Sequence, residues 1–414
     1  MTSRLIRAVA LPAVLALGPA PALAFETVDA LPWPSTGAFY PGYVGDPVRP
    51  WSIFAYGGAM YDSNVRRTPV GETSDIISRL GLGGRYTARV IGRQSVALDG
   101  YAEYRNYDEL SQFDHTAYGA RGQWLWELGN QLAGVASARR THRLADIGET
   151  TIAVKDLVTE DRLDLTGGYR FHPNWRLTGG LGTTRVAHDG RDLDTTHSVG
   201  FRGGLEYVSG LGNAVGLEWR RAEGDAPVDE TFFGTPFDDN EYTEDSVAVT
   251  LAYALGAQLR VRGRLGHTER TYTQVSAADF SGTTGRAAIE WLPSVRMRFI
   301  LEAFREPDPV IDADALYVDR RGILFGIAWA ITYKLVFTTT ATNERRLYTG
   351  EPLVVATGAP QRDETVRVLR FGLGWEPERH WQFGTSLDLG TRESNFLGRD
   401  YDFTAIALNL RYSF

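Results

Sequence analysis

The chain has 414 residues, a formal net charge of -8 at pH 7 and no cysteine. The lack of cysteine excludes a disulfide framework and thiolate metal sites, and the acidic balance argues against nucleic-acid binding. Charged residues make up 23% of the chain and the mean hydropathy is -0.23, which fits neither a disordered chain nor a helical membrane protein.

The N-terminus has the form of an export signal. Arg4 and Arg7 precede an apolar stretch from Ala8 to Gly18, and the small-residue site Ala22-Leu23-Ala24 follows. The stretch is too short to cross a bilayer as a helix, which needs roughly 20 residues. We therefore predict a cleaved signal peptide at residues 1–24.

Residues 25–50 differ from the rest of the chain because they carry five prolines and show no alternating pattern. This composition predicts an irregular, proline-rich periplasmic arm. Three roles are open for it: a loose tail, a plug inside a channel, or a docking strip for a periplasmic partner.

From residue 51 to residue 414 the dominant pattern has a period of two, which places alternate side chains on opposite faces of a strand. In the segment Val199–Tyr207, the odd positions are apolar and the even ones are Gly, Arg, Gly and Glu. The same alternation recurs at 163–171, 175–181, 259–265, 295–301 and 381–389. Each such strand has one apolar face and one polar face.

The connections between these strands alternate in length. Short links lie near 92–94, 128–130, 172–174, 210–213, 255–257, 292–294, 332–334 and 377–380. Longer and more acidic links lie at 62–73, 108–114, 144–158, 188–195, 224–243, 271–282, 306–317, 347–364 and 393–400. This arrangement predicts an all-β fold, a transmembrane antiparallel β-barrel of about 18 strands, with roughly 16 to 20 as the range.

One segment competes with this interpretation as a membrane helix. Gly322 to Thr342 is nearly continuous in apolar residues, but Lys334 interrupts it and β-branched and aromatic residues dominate. These features favour two strands joined at 332–334. Aromatic residues beside the short links predict an interfacial girdle; they are Trp124, Trp126, Phe171, Trp175, Tyr207, Trp291, Trp375 and Trp381.

The C-terminal strand alternates up to the last residue, so that Leu408, Leu410, Tyr412 and Phe414 share one face. We interpret this strand as the signal that the barrel-assembly machinery reads. The preceding segment Thr391–Tyr401, TRESNFLGRDY, together with this strand resembles the putative β-barrel porin 2 family. The resemblance implies an outer-membrane barrel of a class often linked to exopolysaccharide export, with no established catalytic set and no cofactor.

Arginine is frequent on the polar face of the strands. The candidates for lining a lumen are Arg202, Arg220, Arg260, Arg262, Arg264, Arg296 and Arg298, with Glu206, Glu218 and Glu302. The run Arg260/Arg262/Arg264 places three guanidinium groups in one column of one strand, which makes it the preferred selectivity element. The alternative is that most of these ions pair with one another.

No catalytic or metal site is predicted. The seven histidines are scattered, and neither a Gly-x-Ser-x-Gly elbow nor a His-Glu-x-x-His pair occurs. The acidic segments 224–243 and 308–319 match no EF-hand spacing, so solvated loops are favoured over cation sites. Phenylalanines at 232, 233 and 237 offer a constriction as an alternative for the first of these loops.

We expect an outer-membrane channel, with export of extracellular or capsular polysaccharide as the leading function. The alternatives are a general or sugar-selective diffusion porin, and a barrel enzyme or scaffold without conductance. The expected partners are outer-membrane lipid and lipopolysaccharide, the barrel-assembly machinery and a periplasmic polysaccharide-export partner.

Overall fold

The structure is a computed structural model that describes residues 50–145, 147, 155–189, 195–225, 241–273, 279–309, 315–349 and 360–414. The predicted signal peptide and all of the predicted arm except Pro50 lie outside these residues. Residues 226–240, which hold the three phenylalanines of the longest loop, lie outside them as well.

The described residues form 18 strands and one short 3-10 helix, Ser111–Phe113. The strands are β1 Trp51–Asp62, β2 Asp75–Arg89, β3 Ser95–Tyr107, β4 His115–Leu128, β5 Leu132–Leu144, β6 Leu157–His172, β7 Trp175–His188, β8 Thr196–Val208, β9 Ala214–Asp225, β10 Glu241–Leu255, β11 Leu259–Tyr272, β12 Phe280–Ser294, β13 Met297–Pro309, β14 Tyr317–Ala330, β15 Leu335–Thr349, β16 Asp363–Glu378, β17 Trp381–Ser394 and β18 Tyr401–Ser413. The predicted strand number is confirmed. None of the helices in the described part of the chain is long and apolar enough to cross a membrane.

Each strand pairs antiparallel with the next one along the chain, and β18 pairs back with β1. The closing register runs from Phe54 opposite Ser413 to Asp62 opposite Ala405. Beyond the last strand residue, the backbone N–H of Phe414 donates to the carbonyl oxygen of Ile53 at 2.9 Å. Closure gives every strand two partners, so that no sheet edge is left with unpaired backbone groups.

The connections separate into a turn end and a loop end. Short turns lie at 90–94, 129–131, 173–174, 209–213, 256–258, 295–296, 331–334 and 379–380, and the strand ends that the nine longer links join all lie at the other end. The predicted alternation is therefore confirmed, and Lys334 lies in a turn, between β14 and β15. The turn expected at 292–294 is displaced to 295–296, and Pro293 lies inside a register shift between Trp291 and Ser294 because proline has no N–H to donate.

The outer face of the barrel is apolar. Leu80, Leu265 and Leu408 are 72%, 65% and 63% exposed, and they lie on the same face as the other large exposed aliphatic side chains. In a water-soluble barrel these side chains would be expected inside. An exposed apolar face around a closed sheet is instead the surface that lipid covers.

Aromatic rings gather on this outer face at the turn end. Trp175 and Tyr207 are 5.5 Å apart between ring centroids, Trp291 and Phe299 are 5.2 Å apart, and Trp381 and Tyr412 are 4.8 Å apart. Rings that are part apolar and part polar prefer the headgroup level of a bilayer. The predicted girdle is present, and it fixes the level of the turn end against the membrane.

A second kind of packing lies at the loop end of the barrel. One buried apolar cluster joins Val65, Ile77, Tyr107, Leu110 and Phe113. Another joins Tyr272, Phe280, Leu316 and Tyr317, with Tyr242 against it. Strand ends and loop bases thus pack against each other at the loop end.

Candidate selectivity wall inside the barrel

The inner faces of β8 to β13 carry a group of arginines that we call the arginine wall. It is inward because its residues alternate with the exposed apolar ones, as Arg264 does with Leu265. The wall consists of Arg202, Arg220, Arg260, Arg262, Arg264 and Arg298, with the carboxylates Glu218 and Glu290. Alternation alone brings these groups to one face, and the strand register then decides which of them meet.

Glu218 holds two of these arginines. Its Oε1 accepts hydrogen bonds from the Nε of Arg220 at 2.6 Å and from the Nε of Arg264 at 3.0 Å. Arg264 also donates from Nη2 to the Oγ of Ser246 at 2.5 Å. Because one carboxylate neutralises one guanidinium, this group keeps an excess positive charge.

Glu290 repeats the arrangement nearer the turn end. Arg298 lies 2.6 Å from Glu290 Oε1 through its Nε, and Arg260 lies 3.3 Å from Oε2 through Nη1. Here too, two guanidinium groups share one carboxylate. Two of the three arginines predicted as the selectivity column are therefore held by ion pairs.

Arg262, the middle member of that column, differs from both of its neighbours. The residues opposite it in register are Ala252 on β10 and Ala288 on β12. It is exposed to the lumen and makes no hydrogen bond or ion pair with any residue that the structure describes. Short side chains on both adjacent strands leave its guanidinium without a competing acid at hand.

The remaining predicted residues divide between paired wall positions and one turn position. Arg202 lies inward, opposite Arg220 in register. Glu206 forms a buried ion pair with Arg176, and Glu302 pairs with Arg286. Arg296 is corrected by the structure: it lies in the turn between β12 and β13 rather than on the lumen face, because the strand starts at Met297.

The sequence patterns did not single out Asp99 or the buried charges at the loop end. Asp99 lies between Arg85 at 3.1 Å and Arg121 at 2.8 Å on the inner faces of β2 to β4. At the loop end, Glu364 lies between Arg362 and Arg392, and all three are 2% exposed or less. The alternation places each residue inward, but the partners come from strands whose register the sequence does not show.

No group of three potential metal ligands occurs among the residues described. His188 forms a buried pair with Asp156 at 2.7 Å, and His115 contacts the carbonyl oxygen of Phe113 at 2.7 Å through Nδ1. Both histidines lie at strand ends, next to the bases of loops. These contacts fix the loop end and resemble no acid–base site in a cleft.

Comparisons with known proteins find similar solved structures but no matching family. No family model matches the chain, and no curated protein matches it. Among solved structures, OpdK of Pseudomonas aeruginosa with vanillate is 11% identical, with 88% of this chain and 99% of that chain covered at a TM-score of 0.49. OccK2 (OpdF) of the same organism in complex with glucuronate is 12% identical over 88% and 96% of the two chains, with a TM-score of 0.47. A BenF-like porin from Pseudomonas fluorescens Pf-5 is 9% identical over 88% and 99%, with a TM-score of 0.48.

At these identities and TM-scores the similarity assigns no substrate or activity to this chain. The architecture stands on its own geometry: an even number of antiparallel strands, short turns at one end, long loops at the other, an apolar outer face with an aromatic girdle, and an ion-lined interior. The chain is an outer-membrane β-barrel.

Proposed function

We propose that the protein is an outer-membrane diffusion channel for small hydrophilic solutes, with a preference for anions. The observation that carries the proposal is the position of Arg262, exposed on the arginine wall of a closed 18-strand barrel. Barrels of this strand number enclose more space than side chains fill and leave an aqueous channel.

The charge balance of the wall supports the sign of the preference. The inner faces of β8 to β13 together carry eight arginines and seven carboxylates, but the inner face of β11 carries arginines at 260, 262, 264 and 270 and no acid. A lumen lined by one sign of charge raises the local concentration of ions of the other sign. The wall therefore favours entry of solutes that carry a carboxylate or another anionic group.

The expectation of polysaccharide export receives no support from the comparisons, and nothing in the described wall is specific to a polymer. A diffusion channel, which was the alternative, agrees better with a charged inner surface. A deletion strain separates the two: loss of surface polysaccharide with normal solute uptake would favour export, and the converse favours diffusion.

The direct test is conductance of the purified protein in planar bilayers, with the reversal potential measured across a tenfold KCl gradient and in potassium gluconate. A unit charge about 4 Å from a passing ion contributes about 1 kcal/mol in water, which is roughly a fivefold change in local ion concentration. R262A should therefore shift the reversal potential toward cation selectivity. R262K keeps a positive charge at this position, so its reversal potential should stay close to that of the wild-type protein. At 1 M salt the Debye length falls to about 3 Å, so the shift should disappear.

The matched control is R221A, because Arg221 lies on the outer face of β9 and pairs with Glu223 and Asp245. Its removal changes the net charge by the same amount but leaves the lumen unaltered. Absence of any conductance in the wild-type protein would overturn the channel. Conductance with equal reversal potentials in R262A and R221A would overturn the assignment of selectivity to the arginine wall.

A further inference from the structure

The outer face of the barrel carries a row of arginines at the loop end that the channel does not use. Arg305 on β13, Arg321 on β14 and Arg345 on β15 lie directly opposite one another in register. By strand alternation they share the outer face with the exposed Leu301 and Ile323, and the guanidinium of Arg305 also lies 5.7 Å from the centroid of the Phe280 ring. Their side chains are 38%, 42% and 52% exposed. We call these three residues the outer arginine row.

The acids beside the row are fewer than its arginines. Asp319 is shared, because it lies 2.9 Å from Arg305 and 3.3 Å from Arg321. Asp363 accepts a hydrogen bond from Arg345 Nε at 2.8 Å. Like charges directly opposite one another in a sheet repel. The row therefore carries an electrostatic repulsion that a bound anion would reduce.

Other parts of the same rim avoid this arrangement. On β5 to β7, Asp161 lies in register between Arg140 and Arg185. On β9 and β10, Arg221 lies opposite Asp245. Opposite charges alternate around these arcs, so the three adjacent arginines are a local feature of β13 to β15 and not a general property of the rim.

A groove begins directly below the row on the same outer face. Its apolar floor is formed by Ile323, Phe325, Ala341, Leu369 and Leu389, and its volume is about 810 Å³. Asn343 and Arg367, which are opposite each other in register, line its upper end together with Asp402, and Arg367 pairs with Glu393. Ile323 and Asn343 each lie two residues from the row on their strands, on the side of the turn end. The surface thus changes from cationic to apolar within one step down the barrel.

We propose that the outer arginine row and the groove below it bind lipid A, the phosphorylated glycolipid of the outer leaflet. The guanidinium groups take its phosphates, for which their paired N–H donors are well suited, and the groove takes an acyl chain. The order of the two surfaces agrees with a lipid whose headgroup lies at the loop end, and long loops face the outside in this class of barrel. A zwitterionic phospholipid would not supply the excess anionic charge.

Native mass spectrometry of the delipidated full-length protein in detergent tests the site, with bisphosphoryl lipid A, monophosphoryl lipid A and phosphatidylglycerol as separate probes. R321Q/R345Q should weaken binding of bisphosphoryl lipid A by about tenfold or more, since bonds to charged groups are the strong ones. The same double substitution should weaken binding of monophosphoryl lipid A by a smaller factor. The control R140Q/R221Q removes two outward arginines from arcs of alternating charge, and we expect less than about a twofold change.

The groove is tested separately by A341W, which fills its floor. This variant should weaken binding of acylated lipid A but leave binding of the deacylated glucosamine bisphosphate unchanged. Folding of each variant is verified by heat-modifiable mobility in gels, and channel conductance should be unaltered, so failure here and failure of the channel are distinguishable. Equal losses in the two arginine pairs would overturn the site, and so would phosphatidylglycerol binding that equals lipid A binding and falls in parallel with it.

Discussion

The buried charges at the loop end give the sharpest prediction about stability. Glu364 accepts a hydrogen bond from Arg392 Nε at 2.8 Å and lies 3.5 Å from Arg362 Nε. Arg362 also lies over the ring of Tyr348, 3.4 Å from its centroid. Substitution E364Q keeps the size of the side chain and removes the only negative charge among these residues.

The expected cost follows from burial. Glu364 is 0% exposed and the two arginines are 1% and 2% exposed, so that water cannot replace the lost counter-charge. Removing one partner of such a buried group costs about 3–5 kcal/mol. The neighbouring residue gives a matched control, because Asp363 pairs with Arg345 on the outer face, where the two side chains are 30% and 52% exposed. D363N should cost about 0–1 kcal/mol.

The measurement is the free energy of unfolding from urea titrations in lipid vesicles, followed by tryptophan fluorescence. Adding R392M to E364Q should recover part of the loss, because the double variant buries one guanidinium fewer without a partner. If E364Q costs no more than D363N, or if R392M adds a further independent loss, the buried charges do not act as one coupled unit and the reasoning fails.

Three further predictions concern the lipid face and the closing strand. L265R places a charge at the middle of the exposed face of β11 and should cost about 2–4 kcal/mol in the same titrations, whereas V295R, in a turn, should be neutral. G134A adds a Cβ that would clash with the carbonyl oxygen of Thr166 and the indole ring of Trp126, so we expect a loss of about 1–3 kcal/mol. G203A, with nothing within 4 Å of its Cβ, should change little. Deleting Phe414 should lower the heat-modifiable folded fraction in cells, and normal yield of that form would contradict the prediction that Phe414 belongs to the assembly signal.

Much of the fold was predictable because a barrel in lipid obeys few rules. The period of two predicted the strands. The alternation of short and long links predicted the number of strands and which end of the barrel carries turns and which carries loops. The segment 322–342 shows why this worked: hydropathy alone favours a helix there, but Lys334 and the β-branched residues around it indicated the turn that the structure contains. The displaced turn at 295–296 is the exception, since Pro293 is absorbed in a register shift within β12.

For the candidate site, the sequence predicted only the face of the sheet on which the arginines lie. Alternation placed Arg260, Arg262 and Arg264 on the lumen side, but whether an arginine is paired depends on the residues opposite it on two other strands. Glu290 and Glu218 meet the outer two, whereas alanines flank the middle one. The register of β10 and β12 against β11 is set by all their contacts together, and no local pattern in the sequence encodes it.

Net charge and local charge lead to opposite expectations for the channel. The chain carries -8 overall, which by itself would attract cations, and many of its acids lie in the long connections, as in the segment 224–243. The inner face of β11 has the reverse sign, with arginines at 260, 262, 264 and 270 and no acid. At a Debye length of about 8 Å at physiological salt, a permeating ion responds to the charges it passes rather than to the net charge of the chain. The sign of the reversal potential therefore decides whether the average composition or the register around β11 governs passage. Lowering the salt lengthens the Debye length, so the net negative charge of the chain should act over a longer range and reduce the anion preference.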